Sequence, residues 1–126
     1  MDRAIALNLI ARAVHEAMRA YQAALGESVV PAWDEAGWMQ EASREAVEFA
    51  LREPTPGAQH EAWLLAKQRA GWVYGPVKDE AAKTHPSLRP FDELSESEQR
   101  KDALLIELVQ ALAPLFGVSE RAEARR

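Results

Sequence analysis

Apolar side chains recur along most of this chain at three- and four-residue steps, the period that lays a stripe along an α-helix. Leu7, Ile10, Val14, Met18, Tyr21 and Leu25 make the first stripe and predict a helix over residues 4–25. Gly26 is placed to stop it, because glycine enters the left-handed region without steric cost. A connector over 28–33 is punctuated by Pro31. A second helix is expected over 35–52, with Asp34 as N-cap, Pro54 as stop, and Trp38, Ala42, Ala46 and Phe49 on one face. Thr55 followed by Pro56 marks a third start, since proline at the first helical position loses no hydrogen bond. That helix should run to about residue 70 and end at Gly71. On it His60, Trp63 and Lys67 lie three and four apart, so they share a face, and that face is not apolar.

The periodicity then breaks. Residues 72–94 have neither a helical nor a strand period, and Pro76, Pro86 and Pro90 fall within them. A stretch of this length inside a domain is usually functional or disordered. Trp72, Tyr74, Leu88 and Phe91 are too apolar to leave in water, which predicts an ordered, proline-stiffened loop able to hold one short strand pair. The last helix starts at a capping box, Ser95 followed by Glu98, and carries Ala103, Leu105, Leu108, Val109 and Leu112 on its core stripe. Pro114 and Gly117 mark its end. The expected architecture is mainly α: a small bundle of four to five helices, with the long ordered loop between the third and last major helices. One domain over 1–118 is followed by a polar, frayed tail over 119–126.

Charge and composition narrow the function. Twenty acidic against 15 basic side chains give a net charge of −5. A nucleic-acid polymer is therefore not the expected partner, because phosphate neutralisation by basic residues supplies most of that affinity. No clean apolar run exceeds five residues, and that at 103–106 has four, far below the ~20 residues that cross a bilayer. The N-terminus has no signal-peptide pattern. The absence of cysteine excludes disulfides and thiolate metal sites, in keeping with a reducing, cytoplasmic location.

Enzymatic constellations are incomplete. His60-Glu61 would begin a zinc-protease motif, but the second histidine, one turn on, is replaced by Leu64; after His15 the corresponding residue is Arg19. With three histidines in distant segments, no metal site is expected. There is no nucleophile elbow, no cysteine nucleophile and no glycine-rich phosphate loop. His15 reads as a helix-edge histidine bonded to a carbonyl. His60 or His85 could act as acid–base groups, but nothing supplies a nucleophile or metal beside them. No catalysis and no cofactor are expected.

Residues 60–102 nevertheless concentrate unusual side chains: Trp63, Trp72 and Tyr74 with Lys67, Lys78, Lys83 and Arg89. Rings beside fixed cations suit a nucleotide, whose base stacks and whose phosphates pair with Lys or Arg. Trp72, Tyr74 and Phe91 can equally pin the loop to the helices.

These residues also carry a resemblance. His60-Glu61-Ala62-Trp63, Lys67, and the run Gly71-Trp72-Val73-Tyr74-Gly75-Pro76-Val77-Lys78-Asp79 resemble the signature of the RyR domain, the repeat of the ryanodine receptor channels. The likeness continues through Lys83, His85-Pro86, Leu88, Pro90, Asp92, Leu94 and Lys101-Asp102, with Phe91 where a tyrosine is expected. Upstream, His15-Glu16, Tyr21, Pro31-Ala32-Trp33 and Trp38 are similar to the stand-alone members found as small bacterial and phage proteins. The resemblance implies a helical binding module that takes an adenine nucleotide or a nucleotide-derived signal. It implies that Trp63 is the stacking ring, Lys67 and Lys78 are phosphate partners, and Asp102 meets ribose or base. Trp72 and Tyr74 would shape the wall, with His60, Lys83 and His85 completing the ligand-binding set. Receptor repeats work in pairs, so homodimerisation could rebuild a paired site. A protein-interaction module without a small ligand is the rival reading.

Overall fold

A computed structural model describes residues 1–118; the tail over 119–126, expected to fray, lies outside the described residues. The described part is mainly helical, as the periodicity predicts. Its long helices are α1 (Arg3–Leu25), α2 (Trp38–Arg52), α3 (Pro56–Arg69) and α4 (Glu96–Leu112). Two short strands, β1 (Val73–Tyr74) and β2 (Thr84–His85), lie between α3 and α4. Single 3-10 turns cover Trp33–Glu35, Phe91–Glu93 and Ala113–Phe116. Among the described residues, no helix is long and apolar enough to cross a membrane.

The main core lies where α1, α2 and α4 meet. Ile10, Val47 and Val109, one from each helix, are its largest fully buried side chains. Leu7, Val14, Leu51 and Ile106 surround them, and Ala6, Ala11 and Ala50 let the helices approach closely. α1 ends as expected: Gly26 has φ +75°, and the Glu27 N–H donates to the Gln22 carbonyl at 3.0 Å.

Three details differ from the sequence reading. Asp34 does not cap α2: it sits in the 3-10 turn Trp33–Glu35, and α2 begins at Trp38 after Gly37, whose φ is +57°. The cause is the anchoring of Trp33, which is buried edge-on to His15 and donates its backbone N–H to the Glu16 carboxylate at 2.9 Å. His15 in turn bonds the Pro31 carbonyl through Nε2 at 2.7 Å, the carbonyl-bonded role expected of it. Second, α2 buries Val47, Ala50 and Leu51, while Trp38 and Ala42 are exposed and Ala46 and Phe49 half-buried. The close approach of α1 and α4 selects the face with small and branched side chains over the aromatic one. Third, the caps are partial. Thr55 makes no side-chain cap. Ser95 accepts the Glu98 N–H at 3.3 Å, but the Glu98 carboxylate takes bonds from Lys101 and Ser87. On α4, Ala103 is exposed and Ile106 takes the buried position, with Leu105, Leu108 and Leu112 packed beside it.

The loop between α3 and α4 is ordered by its own small core, Leu64, Trp72 and Leu88, against which Trp63 packs. The strand pair is parallel, Val73 opposite Thr84 and Tyr74 opposite His85. Gly75 ends β1 where only hydrogen fits: a Cβ there would lie 2.6 Å from the Thr84 Cβ. Asp79 and Thr84 exchange both backbone hydrogen bonds at 3.0 Å, closing the intervening turn.

Candidate functional site

A cleft of about 660 Å³ opens beside this loop. That volume lies within the range of small-ligand pockets. α3 contributes His60 and Trp63; β2 and the residues after it contribute His85 to Ser87; α4 contributes Glu98, Lys101 and Asp102. Lys78 and Glu80 enter from the turn after β1, and Glu27 and its neighbours through Pro31 from the connector after α1.

The aromatic wall is held from behind. His60 is buried and donates Nε2–H to the Arg89 carbonyl at 2.7 Å, which places its lone pair on Nδ1 in the neutral ring. Trp63, one turn along α3, stacks on His60 with centroids 5.4 Å apart and planes 30° apart. His85 meets Trp63 edge-on at 5.1 Å and Trp72 edge-on at 6.4 Å. Its Nδ1 accepts the Ser87 N–H at 3.0 Å, so in the neutral ring its Nε2 carries the proton. Burial and the nearby Lys78 charge lower its pKa to about 4, keeping it neutral at pH 7.

The charged groups are unequal. Lys101 bonds Glu27 at 2.7 Å and Glu98 at 2.8 Å. Burial pulls its pKa down, but those two carboxylates outweigh burial and raise it overall. Lys78 has no ion-pair partner among the described residues. Asp102 faces His60, with its carboxylate 3.9 Å from Nδ1, too far for a hydrogen bond. Burial, reinforced by Glu98, raises the Asp102 pKa to about 7.

Those two shifts have opposite consequences for stability. Asp102 binds its proton more tightly when folded, so its contribution is full below pH 3.8 and is lost as pH rises through 7. His85 binds its proton less tightly when folded, so its contribution is full above pH 6.5 and is lost as pH falls toward 4. Between about pH 4 and 6.5 the two slopes oppose each other. Asp102→Asn should therefore gain stability over the parent at pH 8, by more than about 1 kcal/mol, and lose that advantage by pH 4. Its own stability should then rise with pH from 4 to 6.5. Urea midpoints at pH 4, 6 and 8 test this; a gain independent of pH would mean that ionisation of Asp102 is not the cause.

Of the nine residues singled out from sequence, His60, Trp63, Lys78, His85 and Asp102 line the cleft. Lys67, Trp72, Tyr74 and Lys83 do not. Lys67 sits between two rings instead, its Nζ 4.3 Å from the Trp38 centroid and 4.6 Å from that of Trp72. Burial, then the Lys78 charge, lower its pKa. One further helical turn carries it past the cleft and onto the seam between α2 and α3. Trp72 is buried in the loop core, and Tyr74 is exposed with its hydroxyl accepting from Arg89 at 2.7 Å. Lys83 donates Nζ to the Ala70 carbonyl at 2.7 Å, tying the loop to the end of α3 from a φ of +57°. Trp72, Tyr74 and Lys83 thus belong to the loop beside the cleft, and Lys67 packs against that loop from α3.

Sequence reasoning missed Glu27, Ser87, Glu98 and Lys101 as cleft residues. Glu98 and Lys101 share a face of α4 at a spacing of three, a signal that adjoins Asp102. Glu27 reaches the cleft only because the connector folds back across α4, and no local pattern announces that.

The span of this geometry coincides with a known family. The model of the RyR domain matches residues 48–116, from the last turn of α2 through the 3-10 turn after α4. That span holds α3, the strand-pair loop and α4, and all nine residues chosen from sequence; the upstream likeness around His15 and Trp33 lies outside it. With more than half of its length matched in this way, the chain belongs to the RyR domain family.

Proposed function

We propose that the chain is a small, non-catalytic ligand-binding module that takes an adenine nucleotide or a nucleotide-derived molecule in the cleft between α3, α4 and the strand-pair loop. The observation that carries this reading is the convergence of Trp63, Lys78, His85 and Asp102, from three separate stretches of chain, on one cavity of nucleotide size. Trp63 offers a base its π-face, Lys78 a phosphate its charge, and Asp102 an acceptor for ribose or base N–H and O–H groups. Lys67, engaged between two tryptophans, is replaced in the phosphate role by Lys78 alone. One chain supplies all of these groups, so the reading needs no second copy. Both cleft histidines have one ring nitrogen committed to the backbone, which suits positioning better than proton shuttling.

The rival reading, a protein-interaction module, draws on Val73 and Val77, which are 59% and 69% exposed on the outer side of the loop. A thermal-shift screen against adenine nucleotides, ADP-ribose species and cyclic dinucleotides separates the two. A ligand at about one hundred times its Kd should add roughly 2.7 kcal/mol and raise the melting temperature by several degrees. Lys78→Ala should reduce the shift from a phosphorylated ligand toward that of its nucleoside. No shift across the panel would favour the interaction module.

A further inference from the structure

The charge lining the cleft restricts which nucleotide it can take. Three carboxylates, Glu27, Glu80 and Glu98, and the Asp102 carboxyl, about half ionised at neutral pH, face it against two ammonium groups, Lys78 and Lys101. Lys101 is already held by Glu27 and Glu98 at 2.7 and 2.8 Å. Lys78 is left as the one cation in the cleft without an ion-pair partner among the described residues, and Glu80 lines the same side two residues on. His85 adds no charge at neutral pH.

Resting on the nucleotide-binding reading above, we propose that the cleft selects a nucleoside or nucleoside monophosphate and discriminates against di- and triphosphates. A base on Trp63 and a single phosphate on Lys78 use the groups that are free. Asp102 makes no hydrogen bond among the described residues, so it is available to accept from a donor on base or sugar. Each further phosphate adds about one negative charge. That charge would have to lie beside carboxylates in a partly water-excluded site, where repulsion is stronger than in bulk solvent. The only additional cation, Lys101, would have to leave two carboxylates to meet it. The arrangement thus differs from the polyphosphate cradles built on several unpaired Lys or Arg side chains.

The test is calorimetric titration of the whole chain with adenosine, AMP, ADP and ATP, without divalent cations, at low salt. The expected order is AMP tightest, with adenosine close to it and at least a tenfold loss from AMP to ATP. High salt should narrow the AMP–ATP gap, because the discrimination is electrostatic. Glu27→Gln, which releases Lys101 from one of its two partners, should narrow it as well. Its folding is checked by its melting curve, and the salt dependence of the parent chain stands in if it fails to fold. ATP binding as tightly as AMP, or more tightly, overturns the selectivity while leaving the nucleotide reading intact. If none of the four compounds binds, the selectivity falls, and the wider reading falls with it only if ADP-ribose species and cyclic dinucleotides also give no thermal shift.

Discussion

Trp63→Ala should weaken base binding by about 5- to 150-fold, the loss of roughly 1–3 kcal/mol that one stacking ring supplies. The fold should survive. Trp63 is only half-buried, and the buried members of its cluster, Leu64, Trp72 and Leu88, remain in contact without it. Removing the indole also uncovers one face of His60, but that ring stays held by the Arg89 carbonyl. Trp63→Phe, which keeps a π-face, should recover part of the affinity. The measurement is a titration with AMP beside a urea melt for each variant. Loss of binding with an unchanged melt assigns Trp63 to the ligand. Unfolding of the variant would make Trp63 a core residue and remove the main support for the site.

Trp72→Ala should do the opposite, unfolding the loop before any ligand is considered. Trp72 is 7% exposed, contacts Leu64 and Leu88, and carries the Lys67 ammonium 4.6 Å from its ring centroid. Truncating a buried tryptophan typically costs about 3–5 kcal/mol. For a chain of this size that is on the order of 10–25 °C in melting temperature. The cleft should go with it, because His85 is seated edge-on against both Trp72 and Trp63. Trp72→Phe should recover most of the stability. A fall of under about 1 kcal/mol for the alanine variant would mean that the loop is held by its strand pair alone.

The two tryptophans show how family membership and physical role separate. Both belong to the RyR domain span and both were candidates for a ligand. Their sequence neighbourhoods differ in one visible respect. Trp63 shares a helix face with His60 and Lys67, a face that is not apolar. Trp72 follows Gly71 at the start of a loop, and nothing local says whether that loop closes over it. The same division applies to the lysines. Lys67 and Lys78 are alike as residues; position on α3 sends one between two rings, while the turn after β1 leaves the other facing the cleft.

What the sequence by itself determined is the set of helices, most of their ends and the ordered loop. Those features rest on interactions within a few residues. The stripe of Leu7, Ile10 and Val14 makes α1; Gly26 and Gly117 end helices in the left-handed region; Pro56 starts α3. Tertiary structure alone decided which face of α2 is buried, because that depends on how closely α1 and α4 approach, and Val47 and Ala50 allow what Phe49 does not. It alone turned Glu98 away from its capping partner toward Lys101 and Ser87, since a half-buried ammonium is a stronger partner than an exposed backbone N–H. It alone brought Glu27 across from the end of α1 to neutralise Lys101. A charged site is a sum over groups distant in sequence. Its net sign, and with it the ligand it can hold, exists only once the chain has folded.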